Sequence, residues 1–399
     1  MNTTIEEMLT PCLERVHEAN KRSRFRIGLP SEPDNRENRI ALTPQAVEVL
    51  VSWGHEVYYE RGAGKSSRFR DEDYESAGAK VVVSHKESLE CEVIVRLTLP
   101  TLEESEMISN GAIVISCLNH IKREAEAYGL LAKKGCYILA IDHLRRVGDS
   151  DALLDQCLSE VRGQMAMTTA SHLLQTNNGE GKGIIVGGVV GVPPTEIVIL
   201  GADATAFRIA KYALAFGSSV KVFDSSHVRL QRLQDKLGSY NYVFTSIYRP
   251  QALDKALKSA DILIACGSSS GEVEYYVTKE TLKKLKRGAV VLDITPAALS
   301  GIETTRESTL DAPSYHEDGH VFQCLPDISM LAAHTSSIIV SDIVASVLNR
   351  LGASGTMEEA TAVDDYINQG TIMYNGVTTN AKIAEWYGVE YCDIRLLKY

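Results

Sequence analysis

The chain contains 399 residues, of which 44% are hydrophobic and 23% are charged, and its formal net charge is −11. This length suffices for two domains that each bury a core, and the composition is that of an ordinary soluble globular protein. The acidic balance argues against a nucleic-acid partner and against an anionic membrane surface, because both bind a basic protein face.

The first 24 residues, "MNTTIEEMLTPCLERVHEANKRSR", begin with acidic positions and lack the apolar core of a signal peptide. Their apolar residues recur at helical spacing, which predicts a helix that packs on this chain or on a second subunit. No apolar run approaches the roughly eighteen residues of a membrane-spanning helix. Eight cysteines are dispersed without metal-ligand spacing, so we expect buried, reduced thiols and no metal site. These features favour a cytoplasmic protein without a membrane partner.

From Phe25 onward, apolar strands alternate with helical stretches. "FRIGLP" predicts a strand, and "ALTPQAVEVLVSWG" predicts a helix with Pro44 in its first turn and Gly54 at its end. Further strands are predicted at "HEVYYE", "AKVVV", "CEVIVRL", "AIVISCL" and "CYILAID". Such alternation indicates a mostly parallel sheet with helices on both faces.

A second series of strands follows the glycine-rich stretch "GKGIIVGGVVGVPP" (181–194). Its strands are predicted at "EIVILG", "SVKVFD", "NYVFTS", "DILIACG" and "AVVLDI", which is a Rossmann-type succession. "TSSIIVSDIVASVLNRLG" (335–352) predicts one long amphipathic helix that Gly352 and Gly355 end. The predicted fold class is α/β, with two Rossmann-like, doubly wound domains flanking a cleft.

The segment "IVILGADATAF" (197–207) carries part of a dinucleotide fingerprint. Gly201 permits the tight turn after the strand, Ala206 permits close helix–strand packing, and Asp224 stands where an acid binds the ribose 2′-hydroxyl of NAD. Asp203 occupies the middle glycine position. An ionised carboxylate about 4 Å from a phosphate oxygen costs roughly 4 kcal/mol at an effective dielectric constant near 20. Two alternatives follow, a weakened NAD site or a Rossmann scaffold without cofactor, and a helix-capping Asp203 fits both.

Four longer passages carry a family resemblance. They are "RIGLPSEPDNRENRIALTPQAVEVLVSWGHEVYYERGAGKSSRFRDEDYESAGA", "LSEVRGQMA", "GKGIIVGGVVGVPP" and "NGVTTNAKIAEWYGVEY". From about Phe25 to Cys392 the chain resembles alanine dehydrogenases and the NAD-binding component of proton-translocating nicotinamide nucleotide transhydrogenase. The resemblance implies a substrate domain (1–152, with a 24-residue N-terminal extension), an inserted NAD-binding-type domain (153–333) and a helical return that completes the first (334–399). The family's hexamers and dimers imply a homo-oligomer.

Alanine dehydrogenases interconvert L-alanine with pyruvate and ammonia, and NAD is their cofactor. The resemblance implies a site with an Arg for the substrate carboxylate, a Lys for the substrate oxygens, a His near the reacting carbon and an Asp from the nucleotide domain. Arg39 in "NRIALTP" keeps the Arg position. We therefore expect Arg39 to bind a small carboxylate substrate.

The remaining positions of that set carry other residues. In "RLTLP" the family's two lysine positions hold Arg96 and Thr98, and Thr98 takes the catalytic one. Asn119 in "SCLNH" takes the His position, and His120 follows it. His120 is our candidate for moving protons, because a shift of one residue would bring it to the family position.

Two further positions belong to the nucleotide domain. Asp293 keeps the acid at the end of a strand, but Ala297 stands four residues later at the position of the catalytic Asp. The family's Asn-Met pair near the nicotinamide corresponds to Asp327 and Ile328. These replacements argue against standard alanine turnover.

Two hypotheses of different class remain open. In the first, the chain is an NAD(H)-linked oxidoreductase of the alanine dehydrogenase type that acts on a small amino or 2-oxo acid. In the second, it is a catalytically degenerate relative that binds another ligand or a protein partner in the old cleft. A direct titration with NADH discriminates between them.

Overall fold

The computed structural model describes residues 23–32, 37–118, 125–145, 152–176, 181–238, 243–266, 277–295 and 300–397. The helix predicted in the first 24 residues lies almost wholly outside these ranges. Within them the chain is a mixed α/β protein with two sheets, and most neighbouring strands in both sheets are parallel. The predicted fold class is therefore confirmed.

The first sheet has eight strands. They are β1 (Arg26–Leu29), β2 (Glu56–Glu60), β3 (Lys80–Val82), β4 (Val93–Val95), β5 (Ile113–Ser116), β6 (Tyr137–Ala140), β14 (Thr371–Tyr374) and β15 (Val377–Thr378). Their spatial order is β15-β14-β6-β5-β4-β1-β2-β3, so the first six strands have the Rossmann order. The helices between them are α1 (Pro44–Ser52), α2 (Asp71–Ser76), α3 (His85–Leu89), α4 (Leu102–Met107) and α5 (Ala125–Lys133).

The second sheet repeats this order. Its strands are β7 (Glu196–Leu200), β8 (Ser219–Asp224), β9 (Val243–Ile247), β10 (Ile262–Ala265), β11 (Val290–Asp293), β12 (Tyr315–Glu317) and β13 (His320–Gln323). The spatial order is β12-β13-β11-β10-β7-β8-β9, and only β12 is antiparallel to its neighbour. The helices are α7 (Ala204–Ala215), α8 (His227–Leu237), α9 (Pro250–Leu257) and α10 (Lys279–Leu282).

Each sheet is covered on both faces, as the near-continuous apolar strands predict. In β4, Val93 and Val95 belong to one buried cluster and Ile94 belongs to the cluster on the opposite face. In β7, Ile197 and Val198 divide between two faces in the same way. Successive strand side chains therefore point into two separate cores, which is the physical reason for the doubly wound arrangement.

The chain crosses between the two domains twice. α6 (Leu153–Leu173) leads from the first sheet to the second, and the 3₁₀ segment Ile328–Ala332 followed by α11 (Ala333–Ser354) leads back. By length and composition alone, the segment Ile328–Ser354 could span a membrane. Val340, Val344 and Leu348 of α11 are buried in the core of the first domain, so this helix packs as a core helix.

The structure confirms α1 and corrects the end of α11. Thr43 accepts a hydrogen bond at the start of α1, Pro44 is its first residue, and Gly54 follows its end with φ 93°. In contrast, Gly352 lies inside α11, and only Gly355, with φ 98°, ends it. A Cβ at Gly352 would lie 3.2 Å from the His55 ring, so this glycine permits close packing instead of ending the helix.

The C-terminal return contains strands as well as helices. β14 pairs antiparallel with β6, and β15 pairs antiparallel with β14 across a two-residue turn. Both turn residues have positive φ, 46° at Asn375 and 80° at Gly376, as a type I′ hairpin requires. The helices of this segment are α12 (Met357–Val363), α13 (Asp365–Gly370) and α14 (Ala381–Tyr387).

Cysteine burial follows the prediction in part. Seven cysteines lie in the described ranges, and all seven are free thiols. Four of them are buried: Cys91, Cys136, Cys266 and Cys324. Cys157 differs, because it lies on an exposed position of α6.

Candidate functional site

The candidate site lies at the carboxyl ends of the parallel strands, at the switch point of each sheet. In the first sheet β1 and β4 are neighbours, and Glu32 and Thr98 follow them in the chain. In the second sheet β7 and β10 are the equivalent pair, and Gly201 and Cys266 follow them. Open α/β sheets bind ligands in the crevice at such switch points.

Arg39 lies in the loop before α1, and only 7% of it is exposed. Its Nε and Nη2 atoms donate to the two carboxylate oxygens of Glu37 at 2.8 and 2.7 Å. Its Nη1 atom donates to Asp327 Oδ2 at 3.0 Å and to Ser329 Oγ at 2.9 Å. Burial alone disfavours the charge, but Glu37 and Asp327 raise the pKa of Arg39 well above its ordinary value. Arg39 is a permanent cation that already contacts two protein carboxylates.

Asp327 precedes the 3₁₀ segment Ile328–Ala332 and joins Arg39 to a second arginine. Arg162 on α6 donates from Nε to Oδ1 at 3.1 Å and from Nη2 to Oδ2 at 2.9 Å. Ser329 donates its backbone N–H and its hydroxyl to Oδ1 at 2.9 and 2.8 Å. Although burial opposes ionisation, Arg162 and Arg39 hold the pKa of Asp327 well below its usual range. The carboxylate is charged at every working pH.

Arg162 extends this arrangement by one more residue. Its Nη1 atom donates to Asp155 Oδ1 at 2.8 Å. The resulting row of five alternating charges, which we call the ionic chain, consists of Glu37, Arg39, Asp327, Arg162 and Asp155. It connects the loop before α1, the crossing helix α6 and the returning 3₁₀ segment.

Thr98, at the position where the resemblance implies a Lys, is bonded to a carboxyl. Its hydroxyl donates to Glu32 Oε2 at 2.6 Å and accepts from Arg96 Nη2 at 2.9 Å. Burial raises the pKa of Glu32, an effect that Arg96 opposes. The Thr98 hydroxyl therefore lies between the Glu32 carboxyl and the Arg96 guanidinium.

Cys117 follows β5 and its thiol is close to the same charges. Burial, with the nearby Asp142 carboxylate, raises the pKa of Cys117 well above its ordinary value, and Arg39 opposes this rise. This environment therefore favours the neutral thiol, which is a weaker nucleophile than the thiolate.

The dinucleotide-type loop has the tight turn that its sequence predicts. Gly201 has φ 97°, and a Cβ there would lie 2.3 Å from the backbone oxygen of Cys266. Asp203 is the N-cap of α7, and its Oδ1 accepts from the backbone N–H of Ala206 at 2.7 Å. Arg208 forms an ion pair with Glu160 at 2.5 Å. The Asp203 carboxylate therefore accepts a hydrogen bond from the Ala206 N–H group, which could otherwise donate to a phosphate.

Asp224 ends β8 and is only 2% exposed. Its Oδ2 accepts from the backbone N–H of Ala202 at 2.7 Å, which ties β8 to the glycine loop. Arg229 of α8 donates to it from Nε at 3.0 Å and from Nη2 at 2.8 Å. Ser226 adds a backbone N–H at 2.6 Å. This carboxylate is thus bonded to several protein donors at the position predicted for a ribose.

Asp293 ends β11, and its carboxyl is buried. It accepts hydrogen bonds from the Ser300 hydroxyl, from Thr305 Oγ1 at 2.9 Å and from the Thr295 N–H at 3.0 Å. Burial raises the pKa of Asp293 to about 6, although these donors oppose the rise. The pKa of this carboxyl is therefore close to neutral pH, and the carboxyl links Thr295, Ser300 and Thr305 to the end of β11.

Several predicted residues lie outside the described ranges, namely Asn119, His120 and Ala297. Of the others, Arg39 and Asp327 are in direct contact, and Gly201, Asp203, Ala206 and Asp224 share one edge of the second sheet. Sequence reasoning did not single out Glu37, Arg162 and Glu32. Glu37 offered a signal, because it stands two positions before a candidate binding arginine, whereas Arg162 only became visible through its tertiary contact.

Comparisons with known proteins match both halves of the chain. The family model described as "Alanine dehydrogenase/PNT, N-terminal domain" matches residues 28–158, and "Alanine dehydrogenase/PNT, C-terminal domain" matches residues 166–381. The alanine dehydrogenase of Methanococcus maripaludis is 31% identical over 368 residues, which are 92% of this chain and 97% of that protein. The alanine dehydrogenase of Bacillus subtilis is 32% identical over 367 residues, which are 92% of this chain and 95% of that protein.

Solved structures agree with this relationship. An L-alanine dehydrogenase superimposes with a TM-score of 0.81 at 25% identity, covering 91% of this chain and 99% of that one. A transhydrogenase from Sinorhizobium meliloti superimposes with a TM-score of 0.72 at 20% identity, covering 90% of this chain and 99% of that one, which supports the fold alone. On the matches to both domains and to nearly full-length relatives, this chain belongs to the alanine dehydrogenase/PNT family.

Proposed function

We propose that the protein is an NAD(H)-linked oxidoreductase that acts on a small amino or 2-oxo acid. The observation that supports the proposal most strongly is the match to proteins named alanine dehydrogenase, at 31–32% identity over 92% of this chain. A family with this name transfers hydride between a nicotinamide cofactor and a small substrate. We also propose that it works in the cytoplasm as a homo-oligomer, in line with the family resemblance.

The second domain supports the cofactor assignment in most respects. Gly201 makes the tight turn that brings backbone close to a pyrophosphate, and Ala206 is fully buried where α7 packs on the sheet. Asp224 and Arg229 lie at the strand edge where an adenosine ribose binds. Among the described residues of this loop, Asp203 is at odds with a bound pyrophosphate, and Asp224 already accepts hydrogen bonds from Arg229 and from two backbone N–H groups. NAD, when bound, supplies the hydride acceptor, and the residues of this chain bind and orient it.

On the substrate side, Arg39 is the cation for a carboxylate. Glu37 fixes its guanidinium at two points, so the orientation of the group is set before a substrate binds. Proton transfer is the open part of the mechanism, because Thr98 is a neutral hydroxyl and His120 lies outside the described residues. We propose His120 as the proton carrier and Glu32 as the carboxyl that keeps Thr98 in position.

The test is a calorimetric titration of the purified chain with NADH, followed by a turnover assay. We expect micromolar binding and, with NADH, ammonium and a panel of 2-oxo acids, a loss of NADH absorbance. Reactions without ammonium serve as the control. An absence of NADH binding up to millimolar concentration would overturn the proposal and favour the catalytically degenerate relative.

A further inference from the structure

The ionic chain limits what Arg39 can bind. A guanidinium has five N–H donors, two of them on Nη1. Among the described residues, both Nη1 donors are used, one by Asp327 and one by Ser329, and Glu37 uses Nε and one Nη2 donor. A ligand carboxylate that binds across Nη1 and Nη2 needs a donor from each atom. That geometry requires at least one of the Nη1 contacts to break.

The charges point the same way. The ionic chain contains three carboxylates (Glu37, Asp327 and Asp155) and two guanidinium groups (Arg39 and Arg162), so its formal sum is −1. Its members are largely buried, Arg39 at 7% and Asp327 at 6% exposure. Solvent therefore screens these charges weakly. A ligand carboxylate that approaches Arg39 meets a site whose positive charge is already neutralised.

We propose that Asp327 lowers the affinity of this cleft for carboxylate ligands by competing with them for Arg39, an inference that rests on the proposed function. Asp327 occupies on Arg39 a donor position that a substrate carboxylate uses. Four hydrogen bonds of Asp327, two from Arg162 and two from Ser329, do not involve Arg39, so the carboxylate has other donors when its contact with Arg39 breaks. Free carboxylates are thus bound weakly, in proportion to the strength of this internal contact.

The decisive variant is Asp327→Asn, with pyruvate as the probe. The amide removes the competing charge and leaves the ionic chain with two carboxylates and two guanidinium groups, so no unpaired buried charge is created. We expect pyruvate to bind at least about tenfold more tightly to this variant than to the unaltered chain, measured by calorimetry. Unchanged or weaker binding would overturn the proposal.

Asp155→Asn is the matched control. It removes one negative charge from the same ionic chain, but Asp155 contacts Arg162 Nη1 at 2.8 Å and makes no contact with Arg39. We expect this variant to change pyruvate affinity by less than about threefold. An equal gain in both variants would show that net charge, not competition at Arg39, governs binding, and would also overturn the proposal.

Folding of the variants is checked by thermal denaturation. If Asp327→Asn does not fold, the double variant R162Q/D327N replaces it, because it removes one positive and one negative charge together, keeps the Glu37–Arg39 pair and leaves without its cation the carboxylate of Asp155, which is partly exposed. The same gain in pyruvate affinity is expected. Titration with pyruvate in the absence of NADH measures the competition at Arg39. Titration with NADH in the absence of pyruvate tests the proposed function, so a failure of the competition proposal is distinguishable from a failure of the proposed function.

Discussion

Asp203 uses for helix capping one of the backbone groups that a dinucleotide needs. Its Oδ1 accepts from Ala206 N–H at 2.7 Å, so the first turn of α7 is satisfied without a ligand. The carboxylate also brings negative charge to a helix end that favours anions. Removal of the Asp203 carboxylate would lower the stability of α7 slightly and would leave the Ala206 N–H group available to a phosphate.

We expect Asp203→Gly to tighten NADH binding by at least about tenfold, because both the competing acceptor and the charge disappear. Loss of the cap to Gly costs only a few tenths of a kcal/mol. Asp203→Asn separates the two effects, since it keeps a capping oxygen and removes the charge. Calorimetric titration of the three proteins measures the result, and equal affinity in all three would contradict a blocking role for Asp203.

At the scale of elements, the close approach of α6 and α7 requires a small residue at position 163. Gly163 on α6 faces Arg208 on α7, and a Cβ at Gly163 would lie 2.5 Å from the Arg208 Cβ and 3.2 Å from its carbonyl carbon. The neighbouring atoms are backbone or Cβ, which cannot rotate away. The two helices therefore approach as closely as they do because position 163 has no side chain.

We expect Gly163→Ala to destabilise the protein by about 1–3 kcal/mol, because the added methyl forces the helices apart. Gly129→Ala on α5 is the matched control, since nothing lies within 4 Å of its added Cβ. That change should stabilise the protein by about 0.5–1 kcal/mol through helix propensity. Urea denaturation measures both, and a similar effect of the two substitutions would contradict the packing argument.

His85 connects three elements of the first domain. At the start of α3, its Nδ1 lies 2.6 Å from Glu60 Oε2 at the end of β2, and its Nε2 lies 2.9 Å from Glu104 Oε1 on α4. The carboxylates of Glu104 and Glu60 raise the pKa of His85 to about 9. The cationic form therefore holds α3 against both neighbours at neutral pH.

A raised pKa in the folded state predicts a stability contribution that is full below the unfolded value of about 6.5 and is lost as pH rises through about 9. We expect the stability difference between the unaltered chain and His85→Gln to shrink over this interval, as measured by urea denaturation. His227→Gln, at an exposed position that begins α8, serves as the control. A His85 difference that does not vary with pH would count against the ionic link.

At the scale of the whole molecule, periodicity predicted both parallel sheets, because their strands are continuous apolar runs that helices separate. It missed the hairpin of β14 and β15, although its Asn375-Gly376 turn is a strong hairpin signal. These strands are only four and two residues long, which is too short for a clear alternation of apolar and polar residues. The prediction that Gly352 ends α11 was wrong for a related reason. The sequence alone does not show whether a glycine ends a helix or permits close packing of another residue.

The candidate site was less accessible to sequence reasoning. Arg39 could be singled out from its motif, but the donors that it has available for a ligand depend on Asp327. Asp327 lies 288 positions away, just before the 3₁₀ segment that leads back to the first domain. Arg162 reaches the same carboxylate from α6. Such contacts are set by how the two crossings pack, and no local pattern encodes them. The charge balance at Arg39 therefore required the tertiary structure.

The pairing of β14 with β6 has a consequence for biosynthesis. Thr371 aligns with Leu139, so the ribosome synthesises more than half of the chain between the two partners. Because the second sheet is encoded entirely within this interval, its strands emerge complete before the first sheet obtains its last two. Until β14 is synthesised, β6 is an edge strand of the first sheet whose outer backbone groups lack a partner strand. Such an exposed edge is prone to pairing with a wrong strand. The nucleotide-type domain finishes first, and the C-terminus closes the molecule.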